Sequence, residues 1–585
     1  MDKSEFFVMS WIDYTIFTFM LVLSACIGMY YGFKKGKNNT IEEYLFAGRN
    51  IPVVPVILSN MASNISTVAL VLLPVEAYYY GGQMLFTSLG EILSSLMMYF
   101  FYLPVFYELK YTSIFEYLEK RFNKPTRLLA SAIYTFTQIV YALIIMYAAI
   151  LAIIKAVPLP FYVLSSLVCL LCTTYTVMGG LRGVVWSDTI QALFMYLSII
   201  AIIAITVSNA GGVTKVIDTA NKGGRLDILN FDPSPFSRYS SWSICLSAGF
   251  FSIYNNCVNT GIIQRYLSLP TYSKAKMVAL CTGLANSFIV FISVMVGISV
   301  YSLYHNCDPF LSKELDNIDQ LIPHHVIKLD NKPPGLAGLY FAGILSAALS
   351  SLSTMMNSLS GILFDDFVKP LLSPECSNKQ SNAWIKSIAV ALGLIVTLGI
   401  FGLNPSAGTF QLYRTLTSLT GGLIIFVFAF GVFYRKANVK SVVIGALAGV
   451  ITSTWLGVGS QNAVESGKIK YITKIVSIEG CPANLSQVLN ITTSGSGEYK
   501  SPMEFADDVP YPYRISFTLL IIIGVLVSFF VGLIVSLFTT DAKKVDQSLL
   551  IPQIRKPIGT KNDYESVYIK YEVKEIRKDS IDLPE

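Results

Sequence analysis

Apolar stretches of about 20 residues recur along the whole chain, and this length lets a helix cross a bilayer. The thirteen predicted spans cover residues 11–33, 52–80, 84–107, 128–154, 160–178, 185–208, 241–264, 276–303, 336–364, 385–403, 408–433, 441–459 and 514–539. Charged residues make up 14% of the chain, against roughly 25% in soluble globular domains. The stretches are continuous and do not alternate with polar residues, which argues against transmembrane β-strands. The sequence therefore predicts an all-α polytopic membrane protein.

Basic residues in the short loops predict the orientation of the chain. Lysine and arginine collect in every second loop, as Lys34, Lys35, Lys37, Arg49, Lys110, Lys120, Arg121, Lys124, Arg127, Arg182, Arg265, Lys274, Lys276, Lys369, Lys379, Arg435, Lys436 and Lys440. The other short loops carry almost none, with Lys155 the exception. The basic set is predicted to be cytoplasmic, so an odd number of spans places the N-terminus outside and the C-terminus inside. These loops account for the net charge of +6, and we expect no nucleic-acid partner.

Two loops on the predicted outer side carry features of extracellular chains. The loop 460–513 contains N-glycosylation sequons at Asn484 and Asn490. Cys307 and Cys481 both fall outside, where an oxidising environment lets disulfides persist, and we expect them to pair. The tail 541–585 alternates charges and lacks a long apolar run, so we expect flexible cytoplasmic chain there.

The second and seventh spans contain polar runs in mid-membrane, at residues 59–67 and 252–261, five spans apart. Interrupted spans at matching positions are typical of inverted-repeat transporters with a binding site near the bilayer midplane. Unwound backbone at that depth is tolerated where it lines a cavity. In the alternative interpretation, each asparagine of these runs bonds to a neighbouring helix.

The ninth span combines apolar character with hydroxyl groups. Ser350 and Ser351 lie three and four residues beyond Ala347, so one carbonyl and two hydroxyls converge on a helix. Oxygen ligands without thiols or imidazoles suit a small hard cation. Alternatively, the serines bond back to the preceding turn and small residues help the helices to pack.

Ionisable residues inside spans are expensive and mark functional positions, and this chain has Glu76, Glu91, Asp188 and Arg414 at or inside span ends. Asp188 could pass a cation to or from the cytosol, or stabilise a helix N-terminus. Arg414 could meet an anionic solute or extend to the lipid headgroups, and the second interpretation is favoured. The sequence contains no phosphate-binding loop, nucleophile elbow or HExxH motif, and we expect no enzymatic activity.

One segment carries a family signature. Residues 175–191, with Gly179, Gly180, Trp186 and Asp188, closely resemble the signature of the sodium:solute symporter family, departing at Gly183, where alanine or serine is usual. Further matching segments are 43–49, 115–122, 263–265 and 445–446. The resemblance extends along nearly the whole chain up to the thirteenth span.

This resemblance implies a leucine-transporter-like fold, with five spans followed by five inverted spans. The expected divisions are an extracellular N-terminus with the first flanking helix (1–51), a first repeat of spans two to six (52–208), an extracellular loop (209–240), a second repeat of spans seven to eleven (241–433), flanking helices twelve and thirteen with the glycosylated loop 460–513 (434–540), and the cytoplasmic tail (541–585).

The resemblance also implies where ion and solute bind. A sodium site would join Ala62 and Ile65 of the broken second span to Ala347, Ser350 and Ser351 of the ninth. Asp188 matches the family carboxylate on the inward sodium path. For the solute pocket, we expect the polar positions Asn64, Ser66, Thr67, Glu91 and Asn259.

The segment 73–78 resembles the branch of the family that carries monocarboxylates, vitamins and iodide. Ala69 replaces the glutamine of the sugar carriers, and Thr260 replaces the glutamine of an Asn-Gln pair that here begins at Asn259. We therefore expect a plasma-membrane symporter that imports a small organic anion with sodium by alternating access. The alternatives are a sensor or receptor without coupled transport, and a symporter for a neutral solute such as a sugar or inositol.

Overall fold

The structure is a computed structural model that describes residues 9–33, 40–154, 156–315, 317–329, 333–372, 377–403, 409–471, 473–481, 503–539 and 545–555. Its α-helices are α1 (Trp11–Phe33), α2 (Ile41–Phe46), α3 (Val53–Thr67), α4 (Leu73–Tyr80), α5 (Phe86–Met97), α6 (Leu103–Leu109), α7 (Glu116–Arg121), α8 (Lys124–Ile153), α9 (Phe161–Asn209), α10 (Val213–Lys222), α11 (Ser241–Cys257), α12 (Thr260–Leu267), α13 (Tyr272–Tyr304), α14 (Leu321–Lys328), α15 (Leu336–Leu363), α16 (Asn378–Ile400), α17 (Thr409–Phe433), α18 (Val439–Glu465) and α19 (Leu520–Phe538).

Shorter helical turns extend or join these helices. Three are π-helical: Val68–Leu72, Met98–Tyr102 and Phe364–Val368. The 3₁₀ turns are Ala47–Arg49, Gly82–Leu85, Ile318–Gln320, Lys369–Leu371, Tyr511–Arg514, Phe517–Leu519, Gln547–Leu549 and Pro552–Ile554. Two short strands, β1 (Ile469–Tyr471) and β2 (Met503–Phe505), pair antiparallel. They lie in the long loop predicted to be extracellular, and among the described residues they modify the all-α expectation only there.

Ten helical segments of the described residues are long and apolar enough to cross a membrane, or eleven if the bent pair 41–49 and 53–64 is one span. The number differs from the thirteen predicted spans for two reasons. The fifth and sixth predicted spans lie in one helix, α9. The second and seventh predicted spans are each divided into two shorter helices, α3 with α4 and α11 with α12.

Glycine permits two features of α9. Gly180 has φ of +56°, a conformation that residues with a Cβ avoid, and the helix direction breaks there. This break lies between the two predicted spans. A straight helix of 49 residues would be about 74 Å long, more than twice the thickness of the hydrocarbon core, so one unbroken span of this length would not fit the membrane. On the opposing helix α1, a Cβ at Gly28 would lie 2.4 Å from Cβ of Tyr175, so glycine allows α1 and α9 to pack closely.

The second predicted span is broken, as its polar run suggests. Ser66, at the end of α3, has φ of +41°, and a π-helical turn follows it. Pro74 follows this π-helical turn, after Leu73, and has no N–H to donate to it. In the seventh span, α11 ends at Cys257 and Asn259 caps α12 by accepting a hydrogen bond from the Gly261 N–H.

Helix α15 forms the centre of the bundle, and nearly all of its side chains are buried. It packs against α1, α3, α8, α9 and α16. Small side chains at many of its positions let the surrounding backbones approach, as is typical of membrane helices. The hydroxyls of α15 therefore face protein on every side.

The segment 473–481 lies across the end of the bundle that is predicted to be extracellular. Its Lys474 N–H donates to the Tyr79 carbonyl at 2.8 Å, and its Ser477 carbonyl accepts from Asp308 N–H at 2.9 Å. Cys307 and Cys481 form a disulfide that joins this segment to the chain beyond α13. The two expected glycosylation sites, Asn484 and Asn490, lie outside the described residues.

A short segment of the C-terminal tail, residues 545–555, packs against the opposite end of the bundle. Leu549, Leu550 and Ile551 are buried, and the Leu549 carbonyl accepts a hydrogen bond from Tyr117 at 3.0 Å. Arg555 forms a 2.8 Å ion pair with Glu108. The expectation of flexible chain is therefore wrong for these residues, because a three-residue apolar cluster and two polar contacts hold them in place.

Candidate functional site

The hydroxyls of α15 meet the broken end of α3. Ser350 Oγ lies 2.9 Å from the carbonyl oxygen of Ala62 and 3.1 Å from that of Ala347. Ser351 Oγ lies 3.1 Å from the same Ala347 oxygen and 3.2 Å from the carbonyl oxygen of Ser63. Residues 62 and 347, far apart in sequence, thus contribute to one cluster of five oxygens.

This oxygen cluster can hold a small cation. Its two hydroxyls can donate only two protons to three carbonyl oxygens, which leaves lone pairs directed at the same space. The break at Ser66 places the Ala62 and Ser63 carbonyls in the last turn of α3, where the partners of a continuing helix are absent. All the ligand atoms are hard oxygens, as alkali and alkaline-earth cations prefer.

The structure brings together four of the five residues predicted to bind sodium: Ala62, Ala347, Ser350 and Ser351. Ser63 joins them through its carbonyl, a contribution that the sequence did not single out. The side chain of the fifth residue, Ile65, lies outside the described part of the chain. It occupies the position directly before the break at Ser66.

Asp188 is fully buried beside this cluster and forms an ion pair. Arg265 Nη2 lies 2.7 Å from Asp188 Oδ2, and neither side chain is exposed. Ser59 donates to the same carboxylate oxygen at 2.8 Å and accepts from Arg265 Nε at 2.6 Å. Ser63 accepts from Arg265 Nη2 at 2.9 Å, so one residue contacts both the oxygen cluster and the ion pair.

The two broken spans touch each other at their polar runs. Asn64 Nδ2 donates to Asn256 Oδ1 at 2.6 Å, and Asn256 in turn donates to Glu91 Oε2 at 3.1 Å. Glu91 also accepts from Ser252 at 2.7 Å and from Asn286 at 3.0 Å. The contact agrees with both interpretations of these runs, because Asn64 and Asn256 bond to neighbouring helices, while Asn64 and Asn255 border a cavity.

A cavity lies between the two broken spans, α5 and α17. Its polar lining includes three of the predicted pocket residues, Asn64, Ser66 and Glu91. The other two do not line it. Thr67 is buried at the start of the π-helical turn, and the Asn259 side chain caps α12. Their assignment to the solute pocket stays a prediction, and the Asn259 side chain already accepts a hydrogen bond from the Gly261 N–H.

Arg414 lines the same cavity, so the favoured expectation that it extends to lipid headgroups is wrong. Its Nη2 donates to Ser247 at 2.6 Å, and its Cζ lies 4.1 Å from the centre of the Phe251 ring. Both partners lie on α11, across the cavity from the backbone of α17. These contacts hold the guanidinium inside the protein.

Several residues of the site were not identified from the sequence. Ser63 and Asn256 belong to the two polar runs, but a run does not show which members face inward. Arg265 appeared among the basic loop residues and in the segment 263–265. The structure instead buries it in α12, and its pairing with Asp188 depends on the fold. Ser247 carries no sequence signal, since serine in a membrane helix most often bonds to its own backbone.

The comparison with known sequences agrees with this architecture. The model of the sodium:solute symporter family matches residues 44–453. Sodium-coupled monocarboxylate transporter 1 of Xenopus laevis is 32% identical over 545 residues, covering 91% of this chain and 86% of that protein. The human transporter of the same name is 31% identical over 541 residues, covering 91% and 88%. The sodium-dependent multivitamin transporter of Oryctolagus cuniculus is 31% identical over 452 residues, covering 77% and 71%.

A solved structure supports the fold. A Na⁺-coupled sialic acid symporter, in a substrate-bound outward-open state, aligns with a TM-score of 0.75 over 92% of this chain and 99% of its own. The two sequences are 22% identical, so this likeness bears on the fold alone. The family model and the relatives that match most of the chain lead to one conclusion. The chain belongs to the sodium:solute symporter family.

Proposed function

We propose that this protein imports a small organic anion together with sodium across the plasma membrane by alternating access. The observation that carries the proposal is the cluster of Ala62, Ala347, Ser350 and Ser351 oxygens at a helix break that continues into the cavity. Ser66 lies in the strained conformation at that break and lines the cavity. Ion and solute would therefore act on the same short stretch of backbone.

Sodium binding would stabilise one arrangement of the broken helix. A cation at the oxygen cluster attracts the Ala62 and Ser63 carbonyls of α3 and the hydroxyls of α15 at once. It thereby fixes the position of α3 against α15 and, through Ser66, one wall of the cavity. Each positive charge that moves inward gains about 2.3 kcal/mol per 100 mV of membrane potential, which helps to concentrate an anion.

Release of sodium would occur toward the predicted cytoplasmic side, past Asp188. In the arrangement described, Arg265 neutralises this carboxylate. Movement of α12 away from α9 would separate the pair and expose Asp188 to the ion. The two repeats, 52–208 and 241–433, would supply the parts that move, because α9 belongs to the first and α12 to the second.

The experiment measures uptake of radiolabelled benzoate by oocytes that express the protein, in sodium and in choline medium. We expect uptake in sodium only. Replacing both serines, Ser350→Ala with Ser351→Ala, should reduce it at least tenfold at physiological sodium, while surface labelling persists. Loss of two oxygen ligands weakens the cluster, and 1.4 kcal/mol corresponds to a factor of ten.

The matched control is Ser360→Ala on the same helix. Ser360 is buried and bonds back to the Asn357 carbonyl at 2.9 Å, away from the oxygen cluster. Its replacement should leave uptake unchanged. Equal uptake in choline medium, or full activity of the double variant, contradicts the proposed function.

A further inference from the structure

Arg414 is an unusual residue for the interior of a membrane protein. It lies in the second turn of α17 and lines the cavity together with its neighbours Phe410 and Tyr413. A guanidinium at such a position is costly unless an anion or a set of polar groups compensates it. The positive charge of Arg414 therefore requires a compensating group.

Within the described part of the chain, no carboxylate forms an ion pair with Arg414. Its one side-chain hydrogen bond there goes to Ser247, a neutral hydroxyl, at 2.6 Å. The Phe251 ring covers one face of the guanidinium at 4.1 Å and adds a cation–π contact. Such stacking leaves the N–H groups at the edge of the plane available for an acceptor.

The other charged residue of the cavity lining, Glu91, has different partners. Its carboxylate oxygens accept hydrogen bonds from Ser252, Asn256 and Asn286, all of them neutral donors. Glu91 and Arg414 therefore have separate hydrogen-bond partners. An anionic group that enters from solution would be attracted by Arg414 and repelled by Glu91.

Much of the remaining lining is apolar, beside neutral polar side chains that include Thr87, Asn255 and Thr518. Leu73, Met84, Ala248, Val290 and Phe410 face the cavity beside the two charged residues. An apolar wall favours an apolar solute body, because its burial removes surface from water. The cavity thus combines one cation, one repelling carboxylate, a substantial apolar surface and several neutral polar groups.

We propose that Arg414 binds the carboxylate of the transported solute and selects for a single carboxylate on a small apolar body. The inference rests on the proposed function and adds to it the residue that recognises the solute. The planar guanidinium fork matches a carboxylate in geometry. Ser247 and Phe251 orient the fork, and Glu91 excludes solutes that carry a second negative charge.

The test uses three probes with the same ring: benzoate, benzamide and phthalate. In wild-type protein, sodium-dependent uptake of labelled benzoate should be inhibited by unlabelled benzoate. Benzamide lacks the charge and phthalate carries two, and we expect neither to compete at tenfold higher concentration. Competition by benzamide equal to that of benzoate overturns the inference, and this arm requires no variant.

The variants Arg414→Gln and Arg414→Lys measure the contribution of the guanidinium. We expect KM for benzoate to rise tenfold or more in Arg414→Gln, since a hydrogen bond between charged groups is lost. Arg414→Lys keeps the charge but loses the planar guanidinium fork, and its KM should lie between those of the wild-type protein and Arg414→Gln. Ser247→Ala should raise KM by a smaller factor, and it provides a second readout if Arg414→Gln does not reach the surface.

Sodium-dependent charge movement without solute separates this inference from the proposed function. We expect Arg414→Gln to retain it, because the oxygen cluster is intact. The control Lys468→Gln removes an exposed positive charge paired with Asp508 and should leave KM unchanged. An unchanged KM in Arg414→Gln overturns the inference and leaves sodium coupling standing. Absence of any sodium-dependent benzoate uptake in wild-type protein overturns both.

Discussion

Ser63 connects the two polar clusters in the core of the bundle. Its carbonyl oxygen lies 3.2 Å from Ser351 Oγ, and its hydroxyl lies 2.8 Å from Thr354 and 2.9 Å from Arg265. A change in the position of Ser63 must therefore affect both the oxygen cluster and the ion pair. This single residue gives a physical route by which ion binding could act on the predicted cytoplasmic end of the site.

The Asp188–Arg265 pair leads to the prediction at this scale. Arg265→Met should strongly lower stability, because it leaves the Asp188 carboxylate buried and unpaired, which costs about 3–5 kcal/mol. The double variant Asp188→Asn with Arg265→Gln removes both charges and should be less destabilised than Arg265→Met alone. The measurement is the midpoint of thermal unfolding of the purified protein in detergent.

The exposed pair of Lys468 and Asp508 supplies the comparison. Lys468→Met should change the midpoint little, since exposed ion pairs contribute about 0–1 kcal/mol. If the double variant were as unstable as Arg265→Met, the charge of Asp188 would not be the cause, and the stabilising role assigned to the pair would be wrong.

At the scale of elements, polar runs predicted the breaks in the second and seventh spans. A run of Ser, Asn and Thr in an apolar stretch is a local property, and it favours a break wherever a cavity can receive it. The position of the break is different. Ser66 adopts φ of +41° while its neighbours stay helical. We attribute the location of the break at this residue to the packing around it, since the polar run alone does not specify one residue.

The docked segment 545–555 gives the prediction at this scale. Ending the chain before residue 545 should lower the midpoint of thermal unfolding, because Leu549, Leu550 and Ile551 lose their burial. Each buried aliphatic side chain contributes about 1.5–3 kcal/mol, as an upper estimate. The loss of the Arg555 contact with Glu108 adds to this.

A second truncation, after Arg555, keeps every described contact of this segment and is the matched control. We expect it to unfold at the temperature of the full chain. Equal midpoints for the two truncated proteins would show that the packing of residues 545–555 contributes nothing to stability.

At the scale of the whole molecule, the basic loops predict an external N-terminus and an internal C-terminus. We expect an antibody to label an N-terminal epitope tag on intact cells, and a C-terminal tag only after permeabilisation. Replacing both sequon asparagines, Asn484→Gln with Asn490→Gln, should increase electrophoretic mobility to that of the glycosidase-treated protein. The reverse labelling pattern would contradict the proposed orientation, and with it the assignment of Asp188 to the inward sodium path.

The sequence by itself determined the membrane class, the broken spans and three of the five members of the oxygen cluster. These are local properties: apolar length, polar interruptions, and the helical spacing that brings Ala347, Ser350 and Ser351 together. The resemblance to a family then placed Ala62 opposite them, which spacing alone could not do.

The tertiary structure decided which distant residues meet. The contact of Ser63 with Ser351, the pairing of Asp188 with Arg265 and the position of Arg414 against Ser247 each join residues at least 77 apart in sequence. Such contacts follow from how whole helices pack and not from the residues' own preferences. For this reason the sequence indicated which residues were unusual, while the fold determined what each of them contacts.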